Sequence, residues 1–370
     1  MSTLPFVSEF RDPTAAKALV GRIHTLAAQV EHATFMEVCG THTMAIYRHG
    51  IRQLLPPNVR LLSGPGCPVC VTPNAYLDRA VALARQPGFI ITTFGDMMRV
   101  PGSTSSLQQE RAQGADVRVV YSALDALDLA RNEPSRQVVF LGVGFETTAP
   151  TVAATVEAAA SQRVQNFSVL SAAKVIPPAL GALVADPALR LDGFLCPGHV
   201  SVILGTEPYE PLAKDHRLPC VVAGFEALDV LQALMMLLEQ RASAQARVEI
   251  AYRRAVTPQG NPVARKILDR VFEVSDSGWR GLGVLPASGL ALRQAYRAHD
   301  AARFEVDVEP TREHPGCACG DILRGIKTPF DCKLFGGVCT PDRPQGACMV
   351  SSEGTCSAAF RYGREEEAVA

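Results

Sequence analysis

Val138-Val139-Phe140-Leu141-Gly142-Val143-Gly144-Phe145 is an unbroken apolar run of strand length, and after Glu146-Thr147-Thr148 the spacing turns helical as far as Ser161. A run without polar alternation belongs to a strand buried on both faces, as in parallel sheets flanked by helices. The same unit recurs on both sides. Upstream, Thr34 to Val38, Val59 to Leu62, Phe89 to Phe94 and Val117 to Tyr121 read as strands. Downstream, Phe167 to Leu170, a run ending at Phe194-Leu195 and Pro219 to Ala223 do the same. Helical patterns separate them: Ala15 to Val30, Thr41 to Leu55 (stopped by Pro56-Pro57), Ala75 to Arg85, Ser122 to Asn132, Pro178 to Val184 and Glu226 to Arg241. Strands alternating with helices make βαβ units.

The rhythm breaks near Glu133-Pro134. This predicts two similar parallel-sheet α/β domains, 31–135 and 136–228. Segments 1–30 and 229–370 are expected to form a third, helical and cysteine-rich domain, with helices over Ala244 to Ala255, Val263 to Phe272 and Leu290 to His299. Gly64-Pro65-Gly66-Cys67 and Cys196-Pro197-Gly198-His199 form a faint internal echo, each following a strand in its own half. The tail Arg364 to Ala370, with Glu365-Glu366-Glu367, reads as a solvated end.

Composition narrows the function. The 36 Lys+Arg against 37 Asp+Glu leave no basic excess for phosphates, and 6% aromatics leave few stacking platforms, so nucleic acid is not an expected partner. No apolar stretch reaches the ~20 residues of a membrane span. Met1 to Phe10 lacks the basic and apolar regions of a secretory signal. The expected location is the cytoplasm, where thiols stay reduced. Eleven cysteines there point to metal or redox chemistry rather than disulfide staples.

Six of them, Cys317, Cys319, Cys332, Cys339, Cys348 and Cys356, lie in the last 55 or so residues, a stretch too poor in apolar groups to order itself. Their long, uneven spacing lacks the paired short knuckles of zinc sites and suits a 4Fe–4S cluster, with two thiols to spare; a cysteine-rich zinc subdomain is the alternative. Cys67-Pro68-Val69-Cys70 sits in a Gly-Pro-Gly turn between a strand and the Thr72-Pro73 helix start, which is expected to place Cys70 near a helix N-terminus, where the dipole lowers a thiol pKa. It reads as a redox dithiol or half of a metal site. Cys39, with His42 three residues on, lies on another strand-to-helix loop, at the edge where α/β sheets bind ligands. Asp96, Glu146 and His199 end three further strands. Asp96 and Glu146 read equally well as caps of the helices that follow. Gly142-x-Gly144 lacks the third glycine of a dinucleotide fingerprint, and that reading is rejected. Cys220 and the Met235-Met236 pair read as core, and Cys196 is ambiguous.

Along nearly its whole length the chain resembles the HypD family of hydrogenase maturation factors. The resemblance is carried by Cys39-Gly40-Thr41-His42, by Gly64-Pro65-Gly66-Cys67-Pro68-Val69-Cys70, and by Phe94-Gly95-Asp96-Met97-Met98-Arg99-Val100-Pro101-Gly102. It continues in Gly144-Phe145-Glu146-Thr147-Thr148-Ala149-Pro150, Pro197-Gly198-His199-Val200-Ser201 and Gly346-Ala347-Cys348 through Glu353-Gly354-Thr355-Cys356. The resemblance implies a scaffold that builds the Fe(CN)2CO unit of NiFe-hydrogenases with the small chaperone HypC, taking cyanide from HypE and HypF. It also implies that Cys317, Cys332, Cys339 and Cys356 hold the 4Fe–4S cluster, that Cys319/Cys348 and Cys67/Cys70 are dithiols, and that Cys39 binds iron. The expected mechanism passes electrons from the cluster through Cys319/Cys348 toward Cys67/Cys70 and the nascent centre, with His42 orienting groups or moving protons. The rival expectation is an iron–sulfur thiol reductase acting on a protein disulfide.

Overall fold

The computed structural model describes residues 9–363. The expected solvated tail from Arg364 lies outside the described residues, as does most of the Met1 to Phe10 stretch. Eleven strands are described. β1 (Ala33–Glu37), β2 (Val59–Ser63), β7 (Gly193–Pro197), β8 (Cys220–Ala223) and β9 (Val248–Ile250) form one parallel sheet in the order β2-β1-β7-β8-β9. β3 (Phe89–Thr93), β4 (Val117–Val119), β5 (Gln137–Gly144) and β6 (Phe167–Ala173) form a second, in the order β4-β3-β5-β6. β10 (Phe272–Trp279) and β11 (Gly283–Leu292) pair antiparallel as a hairpin.

Two α/β sheets are therefore present, but they do not divide at the Glu133-Pro134 break. β3 and β4, expected in a first half over 31–135, pair with β5 and β6: Ile90 lies beside Val138 and Ile91 beside Val117. β7 and β8, expected in a second half over 136–228, return to the first sheet, with Phe35 beside Gly193 and Glu37 beside Leu195. The chain leaves the first sheet after β2, completes the whole second sheet and comes back. β1, β3, β5, β6, β7 and β8 are all largely buried and mostly apolar runs, so the pattern locates strands without naming their neighbours. The pairing matters for function, because both members of the faint echo now end strands of the same sheet.

Local chemistry explains the helix boundaries. Ser122 and Asp125 form the capping box of the helix Ala123–Asn132. The expected helix from Thr41 to Leu55 is two, Gly40–Arg48 and Ile51–Leu54, broken at Gly50, whose φ of 61° favours glycine. Thr72 does not cap: its hydroxyl donates to Pro68 O, and the helix begins at Asn74. The segment 244–255, expected helical, holds β9, and residues 272–292 form the β10–β11 hairpin, which takes in the start of the helix expected over Leu290 to His299. The helices Pro13–Ala27 and Ala227–Ala242 pack together on the first sheet through Ile23, Leu26, Leu231, Leu234 and Phe35. The C-terminal cysteine-rich region carries only short helices, Cys319–Leu323, Thr355–Tyr362 and single 3-10 turns. Its cysteines share one core with Met36, Cys70 and Trp279.

Candidate functional site

The carboxyl ends of β1 and β2 continue past the sheet as two interlocked loops. Gly64 donates its amide to Glu37 O and Gly40 donates to Gly66 O, both at 2.8 Å. Gly66 lies so close to the Cys39 backbone that any Cβ there would overlap the Cys39 amide. Glycine is thus obligatory at this approach, and it sets the Cys67 turn directly against Cys39. Cys39 itself caps the helix Gly40–Arg48 in extended conformation.

Beneath Cys39 lies Glu37, fully buried. One carboxylate oxygen accepts the Cys39 amide at 3.0 Å, and the other accepts the Thr43 hydroxyl at 2.5 Å. Burial raises the Glu37 pKa, against the hydrogen bonds from Ser63, Thr43 and Cys39. Burial, followed by the Glu353 charge, pushes the Cys39 thiol up to about 12, while the His42 and Thr41 amides pull it down. Cys39 is therefore a protonated thiol near neutral pH, and any cation bound there would have to displace its proton.

His42 is fully buried, and its Nε2 faces Gly224 O at 2.9 Å and Ala223 O at 3.3 Å. Two carbonyl acceptors assign the proton to Nε2, so Nδ1 presents a lone pair. That Nδ1 has no hydrogen-bond partner. Burial lowers the His42 pKa to about 4, so the ring is neutral. Phe225 stacks between His42 (4.7 Å) and His199 (3.9 Å). His199 is held below its usual range by burial, against the Glu353 charge. Three loops of one sheet, after β1, β7 and β8, thus bring His42, His199 and Phe225 together.

Glu353 joins them from the cysteine-rich region. Its carboxylate accepts the Thr41 hydroxyl at 2.6 Å, and its Cβ fills the space left by Gly40. The sequence reading did not pick Glu353 as a site residue. The signal was its position between Cys348 and Cys356, a lone acid in a run of small residues.

Cys67 and Cys70 are joined as a disulfide, 3% and 0% exposed. Cys67, rather than Cys70, occupies the helix cap: its Sγ accepts the Cys70 amide at 3.3 Å ahead of the short helix Pro68–Val71. That turn packs on the end of β5 and on the 3-10 turn Ala347–Met349, with Cys70 Sγ 4.0 Å from Ala347 O. Cys348, in that 3-10 turn, lies 2.8 Å sulfur to sulfur from Cys319. A small cavity is lined by Cys317, Cys319, Cys332, Cys339, Cys348 and Cys356, with Ile322, Leu334, Phe335 and Met349 as its apolar wall.

Among the described residues no His, Cys, Asp or Glu trio is preset at metal-ligand spacing. The donor set of that cavity still fits an iron–sulfur cluster. It is all thiol, its wall is apolar, and the Gln345 amide donates to Cys339 Sγ at 3.3 Å, the kind of N–H···S contact that tunes cluster thiolates.

Asp96 and Glu146 are carried by the second sheet. Asp96 is half-buried in the 3-10 turn Gly95–Arg99, and Arg99 of that turn donates to Pro341 O at 3.1 Å. Glu146 does not cap the helix after it, Ala149–Ser161, whose N-cap is Thr148. It accepts the amide of Ile176, the first residue of the helix Ile176–Val184, at 2.8 Å. Its second oxygen is buried without a partner, and burial raises its pKa to about 7. Cys196 and Cys220 are fully buried on β7 and β8 as core thiols, and Met235 and Met236 pack on the first sheet's core.

A family model described as "Hydrogenase formation hypA family", HypD, matches residues 14–363. A hydrogenase maturation factor HypD from Rhizobium leguminosarum bv. viciae is 48% identical over 99% of this chain and 97% of its own length. One from Azotobacter vinelandii is 48% identical over 99% of both chains. One from Escherichia coli (strain K12) is 45% identical over 98% of this chain and 99% of its own.

Proposed function

The chain belongs to the HypD family of hydrogenase maturation factors, and from that premise we propose that it is the scaffold on which the Fe(CN)2CO unit of a NiFe-hydrogenase is assembled. Hydrogenase maturation is the family's role. The finer reading concerns iron as substrate. Cys39, together with a thiol from the small chaperone HypC, binds it; soft thiolates suit an iron that also takes CO and cyanide. HypE and HypF supply the cyanide. The setting is the cytoplasm, and no helix among the described residues is long and apolar enough to cross a membrane.

The observation that carries this reading is an unbroken succession of contacts. Gly66 rests on Cys39, Cys67 is bonded to Cys70, Cys70 touches Ala347, and Cys348 meets Cys319 in the six-cysteine cavity. Cys317, Cys332, Cys339 and Cys356 would hold a 4Fe–4S cluster, which supplies single electrons. Cys319 and Cys348 store two, and hand them to Cys67–Cys70 beside the iron thiol. His42, neutral and with a bare Nδ1, accepts a proton near Cys39 or orients a ligand there. Glu353 holds Thr41, and through it the first turn of the Cys39 helix.

The rival, a reductase for a protein disulfide, is weakened by burial. With Cys67 and Cys70 at 3% and 0% exposure, a disulfide carried on a folded partner protein has no approach for exchange, whereas a small free thiol reaches the pair during local opening. Counting iron and labile sulfide in anaerobically prepared chaperone complex tests the proposal. Cys39→Ala is expected to keep the sulfide and its four irons and to lose only the additional iron. Retention of that iron by the variant would refute the assignment.

A further inference from the structure

Arg280 follows β10 and buries its guanidinium, whose side chain is 5% exposed, behind the Cys67–Cys70 turn. Nε donates to Cys70 O at 3.1 Å. One terminal nitrogen donates to Thr72 O and to Asn74 Oδ1, both at 2.8 Å, and the other to Glu313 Oε1 at 2.9 Å. The Arg280 amide takes Val71 O at 2.8 Å. One residue thus holds three successive carbonyls, those of Cys70, Val71 and Thr72. A planar guanidinium fixed in a fork of acceptors has little freedom left. Its only anionic partner among the described residues, Glu313, has a side chain 54% exposed, where water screens it. The buried end of the pair is therefore a net positive charge. The same guanidinium lines a polar cleft whose wall includes Cys317 and Cys319.

We infer that Arg280 is a positioning residue of the relay: it fixes Cys70 as the sulfur that receives the exchange and stabilises the thiolate released there, raising the reduction potential of the Cys67–Cys70 disulfide. The inference rests on the relay reading above. The contacts give the direction: Cys70 faces the Ala347–Met349 turn, while Cys67 follows the glycine packed on Cys39. The Cys348 sulfur attacks Cys70 Sγ; the Cys67–Cys70 bond breaks and Cys67 leaves as thiolate. The Cys319 sulfur then attacks Cys348; the Cys348–Cys70 bond breaks and Cys70, whose carbonyl Arg280 holds, leaves as thiolate. The Cys319/Cys348 pair loses two electrons and becomes a disulfide. The Cys67/Cys70 pair gains them, and the two protons given up by Cys319 and Cys348 end on Cys67 and Cys70.

The test equilibrates the full chain, prepared without oxygen, with glutathione buffers, and reads the redox state of Cys67/Cys70 by alkylation and mass spectrometry. Arg280→Gln is expected to lower the reduced-to-oxidised ratio at least tenfold, about 30 mV for a two-electron couple. Glu313→Gln removes the screened anion, leaves the buried bonds to carbonyls intact, and is expected to shift the ratio the other way. Opposite shifts support the inference. No shift in Glu313→Gln, or shifts of the same sign in both variants, would overturn it, and Glu313→Gln alone decides if Arg280→Gln does not fold. Cys319→Ser probes the underlying relay separately: it should block transfer into Cys67–Cys70 within the chain while leaving the glutathione equilibrium in place.

Discussion

The two parallel sheets are built alike and end differently. At the carboxyl edge of the first, the loops after β1, β2, β7 and β8 touch one another, and glycines at 64, 66 and 40 let backbones meet at van der Waals contact. At the edge of the second, Glu146 accepts the first amide of the helix that leaves β6, and the Asp96 turn is tied to the cysteine-rich region through Arg99. The fold is shared. What differs is whether neighbouring loops are allowed to approach, and that decides where cysteines, histidines and an acid from three parts of the chain can converge.

The largest expected contrast is between two glycines. Gly66→Ala drives a Cβ into the Cys39 backbone, which cannot yield, and should cost about 4 kcal/mol or more. Gly142→Ala, on β5, meets chiefly the Val169 side chain, which can rotate, and should cost about 1–2 kcal/mol. Urea unfolding of both variants measures the difference, and equal costs would erase the contrast.

Next comes pH, where the two edges oppose each other. Glu146, raised from 4.5 to about 7, keeps its proton in the folded chain after the unfolded chain has lost it. Its contribution is full below pH 4.5 and disappears as pH rises through 7, about 3 kcal/mol in all. His42, lowered from 6.5 to about 4, behaves in the reverse sense: its contribution is full above pH 6.5 and is lost as pH falls through 4, again about 3 kcal/mol. Between pH 4.5 and 6.5 the slopes of these two groups oppose each other. Glu146→Gln should unmask stability that rises with pH, and His42→Gln stability that falls. Denaturation midpoints across that range read the signs directly.

The smallest contrast lies in the ties to the cysteine-rich region. Thr41→Val removes the hydroxyl from the Glu353 carboxylate and should cost about 1.5 kcal/mol. Arg99→Ala removes an exposed contact to Pro341 O and should stay within about 0.5 kcal/mol. Thermal melts of the two variants rank the ties, and a reversed order would show that the second edge is the tighter anchor.

Much of this was legible in the sequence. Val138 to Phe145 announced a strand buried on both faces, and Ser122 announced the helix it caps. Cys39, His42, Cys67 and Cys70 were picked from strand-to-helix loops, and the structure brings them to one edge. Strand partners were not legible, because Ile90, Val138 and Phe194 are equally apolar and carry no record of which neighbour each will take. That is why His199 was placed in a separate half and is found stacked on Phe225 beside His42. Glu353 escaped for a related reason: its role depends on Gly40, more than 300 residues away, having no side chain.

The central claim is that Cys39 is where iron acquires its diatomic ligands. Infrared spectroscopy of the chaperone complex, purified without oxygen from cells expressing the other maturation proteins, tests it most directly. The account predicts cyanide and CO stretching bands in the intact complex and none in Cys39→Ala, with the visible absorption of the iron–sulfur cluster unchanged. Bands of full intensity in Cys39→Ala would contradict it.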